Sequence, residues 1–236
     1  MSILNQFNQP VGLTLLNWKQ PPHPERIAME GLYCRVEPLS ADTHAMSLFE
    51  ANQENSEGRN WTYLPYGPFL DFEKYLAWIK ESAATTDPLF YAIVDKPGGK
   101  AIGVAAYLRI EPAVGCIEVG HLNFSPLLQG ERAATEAMYL MMRNAFQLGY
   151  RRYEWKCDAL NAPSRRAAQR LGFSFEGIFR QARIVKGRNR DTAWFSIIDQ
   201  EWPRLESVFK RWLDPDNFDE EGRQRVALSK LMSTAG

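Results

Sequence analysis

The chain has few of the residues that build disulfide frameworks or metal sites. Its three cysteines, Cys34, Cys116 and Cys157, are widely spaced, and no C-x-x-C pair occurs. Three histidines among 236 residues offer no metal-ligand spacing, so we expect no metal. An odd number of separated cysteines is typical of a reducing compartment. The sequence therefore predicts a cytoplasmic protein.

Long apolar runs and an excess of charge of one sign are also missing. No stretch approaches about 18 uninterrupted apolar residues, so we expect no membrane span. The first residues lack the charged and then apolar order of a signal peptide. Lys plus Arg and Asp plus Glu both number 28, which makes nucleic-acid binding through overall charge improbable. Because 45% of the residues are hydrophobic, the chain can bury a core.

The pattern along the chain divides it into three parts. Residues 1–29 contain Pro21, Pro22 and Pro24 and are predicted to form an extended N-terminal arm lying on the domain. Residues 30–213 predict, in order, a strand, two helices, three strands, a helix, a strand, a helix, two strands and a helix. This order indicates an α/β (α+β) domain with a mixed sheet and helices on both faces. Residues 214–236 are predicted to be a loosely held acidic and polar tail, in which residues 226–232 could add a helical turn.

The junction between a strand at 115–124 and a helix at 133–148 is a candidate anion site. Residues 129–136 read Gln-Gly-Glu-Arg-Ala-Ala-Thr-Glu. A strand that leads through small residues into a helix presents unpaired N–H groups and a helix dipole, which suit a pyrophosphate. Neither common Gly-rich nucleotide loop, G-x-G-x-x-G or G-x-x-x-x-G-K, is present. Taken alone, the junction fits an ordinary strand–helix turn equally well.

Several segments together resemble one enzyme family. Residues 129–134 resemble the Q/R-x-x-G-x-G/A acyl-CoA loop of the GNAT N-acetyltransferase superfamily. The T-E-A at 135–137 resembles that superfamily's ribosomal-protein N-terminal (alanine/serine) acetyltransferase branch. Further similarity to this branch lies at 117–121 (E-I-G-Y strand) and at 161–165, 171–173 and 176–177 (N-x-x-S-x-K/R followed by G-F-x-x-E-G). The matches keep the family order over about residues 31–200. One position departs from the loop pattern, since Arg132 stands where its second glycine is expected.

The resemblance implies a GNAT-like, mostly antiparallel sheet, splayed between the strands at 115–124 and 151–159. It implies an acyl-CoA N-acyltransferase domain over 30–213 that uses acetyl-CoA as co-substrate. The acceptor is expected to be a primary amine, either a protein or peptide N-terminus or a small molecule, that attacks the thioester directly. The cofactor-binding residues it implies are Phe124, Gln129, Gly130, Glu131, Arg132, Ala133, Ala134, Thr135, Asn161 and Arg165.

Two side chains are candidates for moving protons. Glu118 is the candidate general base, because apolar surroundings raise the pKa of a carboxyl group. The alternative is a strand-edge carboxylate paired with an arginine. Ser164 is the branch's matching hydroxyl and a candidate donor to the leaving thiolate, although it also lies where a helix starts and Asn161 can cap that helix. A backbone N–H near Leu122 is expected to stabilise the tetrahedral intermediate.

Four residues are candidates for contact with the acceptor. Trp61, Tyr63 and Tyr66 belong to an aromatic segment where the resemblance places a substrate lid, and aromatic rings suit an amine through cation–π contact. The same rings fit a core role equally well. His121 is a candidate for orienting the acceptor, with a structural histidine as the alternative.

A basic region keeps two rival hypotheses open. Residues 151–190 hold 11 Lys or Arg against three acidic residues. Such a patch suits the phosphates of acyl-CoA, and it also suits a non-enzymatic RNA- or ribosome-binding module. The third hypothesis is a catalytically silent acyl-CoA binder in which Arg132 spoils the loop. A homodimer is left open.

Overall fold

The computed structural model describes residues 3–54 and 57–234. Ten strands occur in this part of the chain: β1 (Ile3–Leu4), β2 (Pro10–Val11), β3 (Met29–Glu30), β4 (Cys34–Pro38), β5 (Leu89–Asp95), β6 (Ala101–Glu111), β7 (Cys116–Phe124), β8 (Arg152–Asp158), β9 (Ser174–Val185) and β10 (Arg188–Ile198). The α-helices are α1 (Ala41–Gln53), α2 (Phe72–Ala84), α3 (Arg132–Gln147), α4 (Ala162–Arg170), α5 (Trp202–Leu213) and α6 (Leu228–Thr234). Two short 3-10 helices span Arg59–Trp61 and Pro215–Asn217.

Eight of the strands form one sheet in the order β3-β4-β5-β6-β7-β8-β10-β9. All neighbours are antiparallel except β7 and β8, which are parallel. The sheet confirms the predicted mixed, mostly antiparallel class, and the predicted order of elements holds from β4 to α5. Among the described residues, no helix is long and apolar enough to cross a bilayer.

The two faces of the sheet carry separate cores. One face, here called the α1 face, packs Val104 and Ala106 against Leu48 of α1 and Tyr75 of α2. The other, the α3 face, buries residues such as Ile117 and Val119 against α3, α4 and α5. Helices therefore cover both faces, as the sequence predicts.

The sheet opens between its two parallel strands. β7 and β8 are paired only from Cys116 opposite Arg152 to Val119 opposite Trp155, and beyond this rung both strands continue without pairing to each other. We call this opening the fork. A bulge distorts β7 on its other edge, where His121 has a φ of +51°. The fork confirms the predicted splay and its position.

The C-terminal segment is part of the packed domain. Phe218, Leu228 and Leu231 are buried in the same core as α5. The Asn217 side chain donates to the carbonyl oxygens of Trp212 and Val226. The prediction of a loosely held tail is therefore wrong for residues 214–234.

The N-terminal arm makes few contacts at its start and more at its end. The hairpin of β1 and β2 is exposed. Closer to the domain, the Tyr150 hydroxyl donates to the carbonyl oxygen of Pro22 and the Tyr91 hydroxyl to that of Glu25. The arm then joins the sheet through β3.

Candidate functional site

Glu118 lies at the closed end of the fork and is bound by two cations. Its carboxylate accepts from Arg109 Nε at 2.7 Å and Arg109 Nη2 at 2.8 Å, and Lys156 Nζ lies 2.9 Å away. The residue is only 2% exposed. The prediction of apolar surroundings for Glu118 is therefore wrong. The alternative, a carboxylate paired with an arginine, is correct. Both carboxylate oxygens accept hydrogen bonds from these cations and so tie β6, β7 and β8 together.

The ion pairs extend from Glu118 across the α1 face. Lys156 also contacts Glu154 at 2.6 Å, and Arg152 contacts both Glu154 and Glu176. Arg152, Glu154 and Lys156 lie on β8, and Glu176 lies on the edge strand β9. Because removing one member of a buried ion pair leaves an uncompensated charge, the row favours a fixed strand geometry at the closed end of the fork.

Beside the fork, the bulge of β7 brings His121 to Tyr66 of the aromatic segment. The Tyr66 hydroxyl and His121 Nδ1 share a hydrogen bond of 2.9 Å, and their rings are nearly parallel. Burial, and then the charges of Arg109 and Arg190, lower the pKa of His121 to about 4. Burial also raises the pKa of Tyr66. At neutral pH the pair is therefore an uncharged imidazole and an intact phenol.

This lowered pKa predicts a pH-dependent stability. An unfolded histidine titrates near 6.5, so the unfolded chain binds more protons than the folded one between about pH 6.5 and 4. The neutral His121 therefore makes its full contribution to the free energy of unfolding above about pH 6.5, and this contribution is lost as the pH falls towards 4. Between pH 7 and pH 4.5, we expect the free energy of unfolding to fall by about 2 kcal/mol more in the wild type than in the His121→Asn variant. Urea unfolding of both proteins at the two pH values measures this, and equal losses would contradict it.

The aromatic segment, residues 57–70, spans the α1 side of the fork. Tyr63 is partly exposed, and its hydroxyl donates to the carbonyl oxygen of Leu160, just after β8. Lys186, in the β9–β10 turn, donates to the carbonyl oxygen of Trp61. Trp61 itself is only 3% exposed and packs against Tyr66 and other rings of the α1-face core. For Trp61 the core alternative is therefore correct, while Tyr63 and Tyr66 border the fork.

The α3 side of the fork holds Ser164 at the start of α4. Its backbone N–H donates to the Asn161 side chain, which caps the helix as the alternative reading predicted. Its Oγ accepts from the indole N–H of Trp155 at 3.0 Å. Trp155 belongs to the last paired rung of β8, so this bond fixes Ser164 beside the point where the strands separate. Cys157 is buried nearby, and burial raises the pKa of its thiol, which disfavours a thiolate.

The loop before α3 carries free backbone donors. Gly130 adopts a φ of +84°, which favours glycine, and α3 begins after Glu131. Among the described residues, the N–H groups of Gly130, Arg132 and Ala133 have no acceptor. The Gln129 side chain folds back and donates to the Phe124 carbonyl oxygen at 2.7 Å. The loop therefore offers N–H groups rather than the Gln129 amide.

Three other predicted cofactor residues have side chains with structural contacts. The guanidinium of Arg132 lies 4.3 Å from the Tyr33 ring centroid and 5.3 Å from that of Phe218. The Thr135 hydroxyl is buried and accepts from Arg170. Arg165 donates to the Ala159 carbonyl oxygen. Their backbones lie beside the loop or at the start of α4. Their side chains contact other groups of the protein in this structure.

Sequence reasoning missed the role of Glu136. This residue is 3% exposed, and its carboxylate accepts from the N–H groups of Leu32, Tyr33 and Cys34 at 2.7, 2.7 and 2.8 Å. It thus ties the start of β4 to α3. The T-E-A motif marked the position, but nothing local to the motif indicates a partner about a hundred residues earlier.

The basic region does not form one free surface. Several of its cations make hydrogen bonds or ion pairs inside the protein, namely Arg152, Lys156, Arg165, Arg170 and Lys186. An RNA-binding surface needs cations that are free for phosphates. These five of its eleven cations are therefore not free for phosphates.

A sheet that opens between two parallel strands, beside a helix start with free N–H groups, is the arrangement that the family resemblance implies. The profile of the family described as the Acetyltransferase (GNAT) domain matches residues 35–174. A GCN5-related N-acetyltransferase from Brucella melitensis is 47% identical, with a TM-score of 0.91 over 93% of this chain and all of that one. The chain belongs to the GNAT family and is an acetyl-CoA-dependent N-acetyltransferase.

Two further relatives are informative. The ribosomal-protein-serine acetyltransferase of Escherichia coli is 33% identical over 103 residues, which cover 42% of this chain and 56% of that protein. A microcin self-immunity acetyltransferase solved with acetyl-CoA and AMP shares the fold at 21% identity, with a TM-score of 0.63 over 71% of this chain and 93% of that one. The first agrees with the branch that the motifs resemble, and the second shows this fold with acetyl-CoA bound.

Proposed function

We propose that the protein binds acetyl-CoA from the α3 side of the fork and acetylates a primary amine that arrives from the α1 side. The fork carries this proposal. Beyond Val119 and Trp155, the facing edges of β7 and β8 have backbone groups without a neighbouring strand. Such groups need other partners. The amides of the pantetheine arm would supply them.

The loop before α3 suits the pyrophosphate of the same molecule. The free N–H groups of Gly130, Arg132 and Ala133 lie at the positive end of the α3 dipole. Ala133 and Ala134 allow close backbone approach. Because Arg132 packs on Tyr33 and Phe218, the missing glycine of the family loop does not by itself argue for a silent protein.

Proton transfer is divided between the two sides of the fork. On the α1 side, we assign His121 rather than Glu118 as the proton acceptor. The tautomer in which Nδ1–H donates to the Tyr66 oxygen leaves the Nε2 lone pair for the amine proton. An imidazole with a pKa of about 4 cannot deprotonate a free ammonium, whose pKa is about 8 to 10.4. The amine must therefore arrive neutral, and His121 takes its proton after the C–N bond has formed.

The leaving group departs on the other side. Ser164 Oγ accepts from Trp155 and lies within hydrogen-bonding reach of Cys157, and its hydroxyl hydrogen would pass to the CoA thiolate. The bulge at His121 and Leu122 interrupts the pairing of β7 with β6, and a backbone N–H there would stabilise the oxyanion of the intermediate. The acceptor is a peptide N-terminus, as the name of the Escherichia coli relative suggests, or a small-molecule amine.

Binding of acetyl-CoA is tested by thermal unfolding with acetyl-CoA, CoA and RNA at fixed salt. At about 100 times its Kd, each CoA ligand should stabilise the wild type by about 2.7 kcal/mol. We expect Ala134→Asp to weaken both by tenfold or more, because a carboxylate in the first turn repels phosphate. The same substitution favours the helix dipole, so the fold should survive.

Ala41→Asp is the matched control, since it places a carboxylate in the first turn of α1, away from the fork. It should leave CoA binding unchanged. Stabilisation by RNA but by neither CoA ligand would refute the proposal and restore the basic region as the site. Binding of CoA without acetyl transfer to any amine would indicate a silent binder.

A further inference from the structure

One row of side chains on β10 has hydrogen-bond donors that the protein does not use. Arg190, Thr192 and Trp194 alternate along the strand and therefore share a face. Among the described residues, Arg190 Nε, Thr192 Oγ1 and Trp194 Nε1 are buried atoms without a hydrogen-bond partner. Thr192 as a whole is only 5% exposed. Buried donors without acceptors are costly, so a row of three calls for an external partner.

The row lies beside the fork, on the side assigned to the acceptor. Trp194 is paired with Lys156, the first residue of β8 beyond the last rung with β7, and Thr192 is paired with Asp158. The ammonium of Lys156 lies 3.7 Å from the centroid of the Trp194 ring. Since Lys156 contacts Glu118, this is the α1 face. Arg190 also contributes to lowering the pKa of His121, which places its charge near that imidazole.

The charges around the row favour an anionic ligand group. Arg109 and Lys156 are paired with Glu118 and Glu154, whereas no ion pair of Arg190 occurs in the part of the chain that the structure describes. Burial lowers the pKa of the Arg190 guanidinium, and the charge of Asp158 raises it. Asp158 is the nearby acidic group on β8, and its carboxylate accepts from the backbone N–H of Leu160. A polyamine would bring more positive charge and no oxygen acceptor to this face. A ligand with an oxyanion supplies both hydrogen-bond acceptors for the three donors and a negative charge for Arg190.

We propose that Arg190, Thr192 and Trp194 bind an oxyanion, a carboxylate or a phosphate, carried by the acceptor close to its reactive amine. This inference rests on the proposed function and narrows its substrate class to amino acids and other amines with an anionic group. Alternate residues of a strand are about 6.6 Å apart. The row therefore suits acceptors in which only a few bonds separate the amine from the oxyanion. Arg190 provides the charge, and Thr192 and Trp194 orient the oxygen atoms.

The test measures kcat/KM for matched acceptors with acetyl-CoA. The panel contains amino acids, their carboxamides, the corresponding amines without the carboxylate, phosphorylated amino alcohols and linear polyamines. We expect the best oxyanion-bearing acceptor to exceed its uncharged match by about 30-fold or more. The carboxylate and phosphate arms identify which oxyanion is preferred. Arg190→Gln should remove most of this preference, and Arg190→Lys should restore part of it.

Arg188→Gln is the control, because it removes the same charge from an exposed position on the same strand. It should retain the preference. Stabilisation by acetyl-CoA is measured on every variant, and it distinguishes a failure of the proposed function from a failure of the oxyanion site. If CoA binds and polyamines or uncharged amines are the better acceptors, or if Arg190→Gln retains the preference, this inference fails while the proposed function stands. If CoA does not bind, the proposed function itself fails.

Discussion

Glu136→Gln should lower the free energy of unfolding by about 3–5 kcal/mol, because three backbone N–H groups lose a buried carboxylate. The substituted amide presents hydrogens to at least one of these donors. Since small proteins are stable by only about 5–15 kcal/mol, a large part of the total would be lost. Urea unfolding monitored by tryptophan fluorescence measures the change. Glu131→Gln, at the exposed start of the same helix, should cost less than about 1 kcal/mol.

Gly31 provides an independent check on this contact. A Cβ atom at Gly31 would overlap the Glu136 carboxyl group. Gly31→Ala should therefore destabilise the wild type but cost much less in a Glu136→Ala background. A double-mutant cycle measures this coupling. Additive effects would show that the carboxylate is not what holds residues 31–34 against α3.

His121→Gln should reduce kcat by about 100-fold or more, since a positioned proton acceptor typically contributes 10²–10⁴-fold. The wild-type kcat/KM should rise with pH and follow the pKa of the acceptor amine, with no limb at the ordinary histidine pKa. The neutral imidazole is available at every pH above about 5, because its pKa is about 4. Steady-state kinetics from pH 5.5 to 9.5 on both proteins test this assignment.

His23→Gln provides the matched control, since it is the same substitution at an exposed position in the arm. It should leave kcat unchanged. Stabilisation by acetyl-CoA shows whether each variant still forms the cofactor site. If His121→Gln binds acetyl-CoA and keeps kcat within threefold of the wild type, the proton leaves by another route and the assignment is wrong.

The sequence predicts the fold well because its main signals are local. The alternation of strands and helices and the loop at 129–134 depend on neighbouring residues, and the structure has both. The position of the fork followed from the family resemblance. Long-range side-chain contacts were not accessible in the same way.

Glu118 shows where such reasoning stops. Its strand position is visible in the sequence, but its environment depends on Arg109 from β6 and Lys156 from β8. Arg109 reaches it from a bulge with a positive φ, a feature that no periodic pattern indicates. Trp61 illustrates the same limit, because an aromatic residue in a loop can be wall or core and only packing decides.

The loop before α3, where we propose that acetyl-CoA binds, is supported by the segment that ends α5 and follows it. Arg132 lies against the rings of Tyr33 and Phe218, which also contact each other, and the Tyr33 hydroxyl donates to the carbonyl oxygen of Leu213. A domain generally folds as a unit, once the residues that it needs have been synthesised. During translation, this loop cannot reach its final packing until the segment around Phe218 has left the ribosome. The proposed coenzyme site is therefore completed only after residues well beyond the fork have been synthesised.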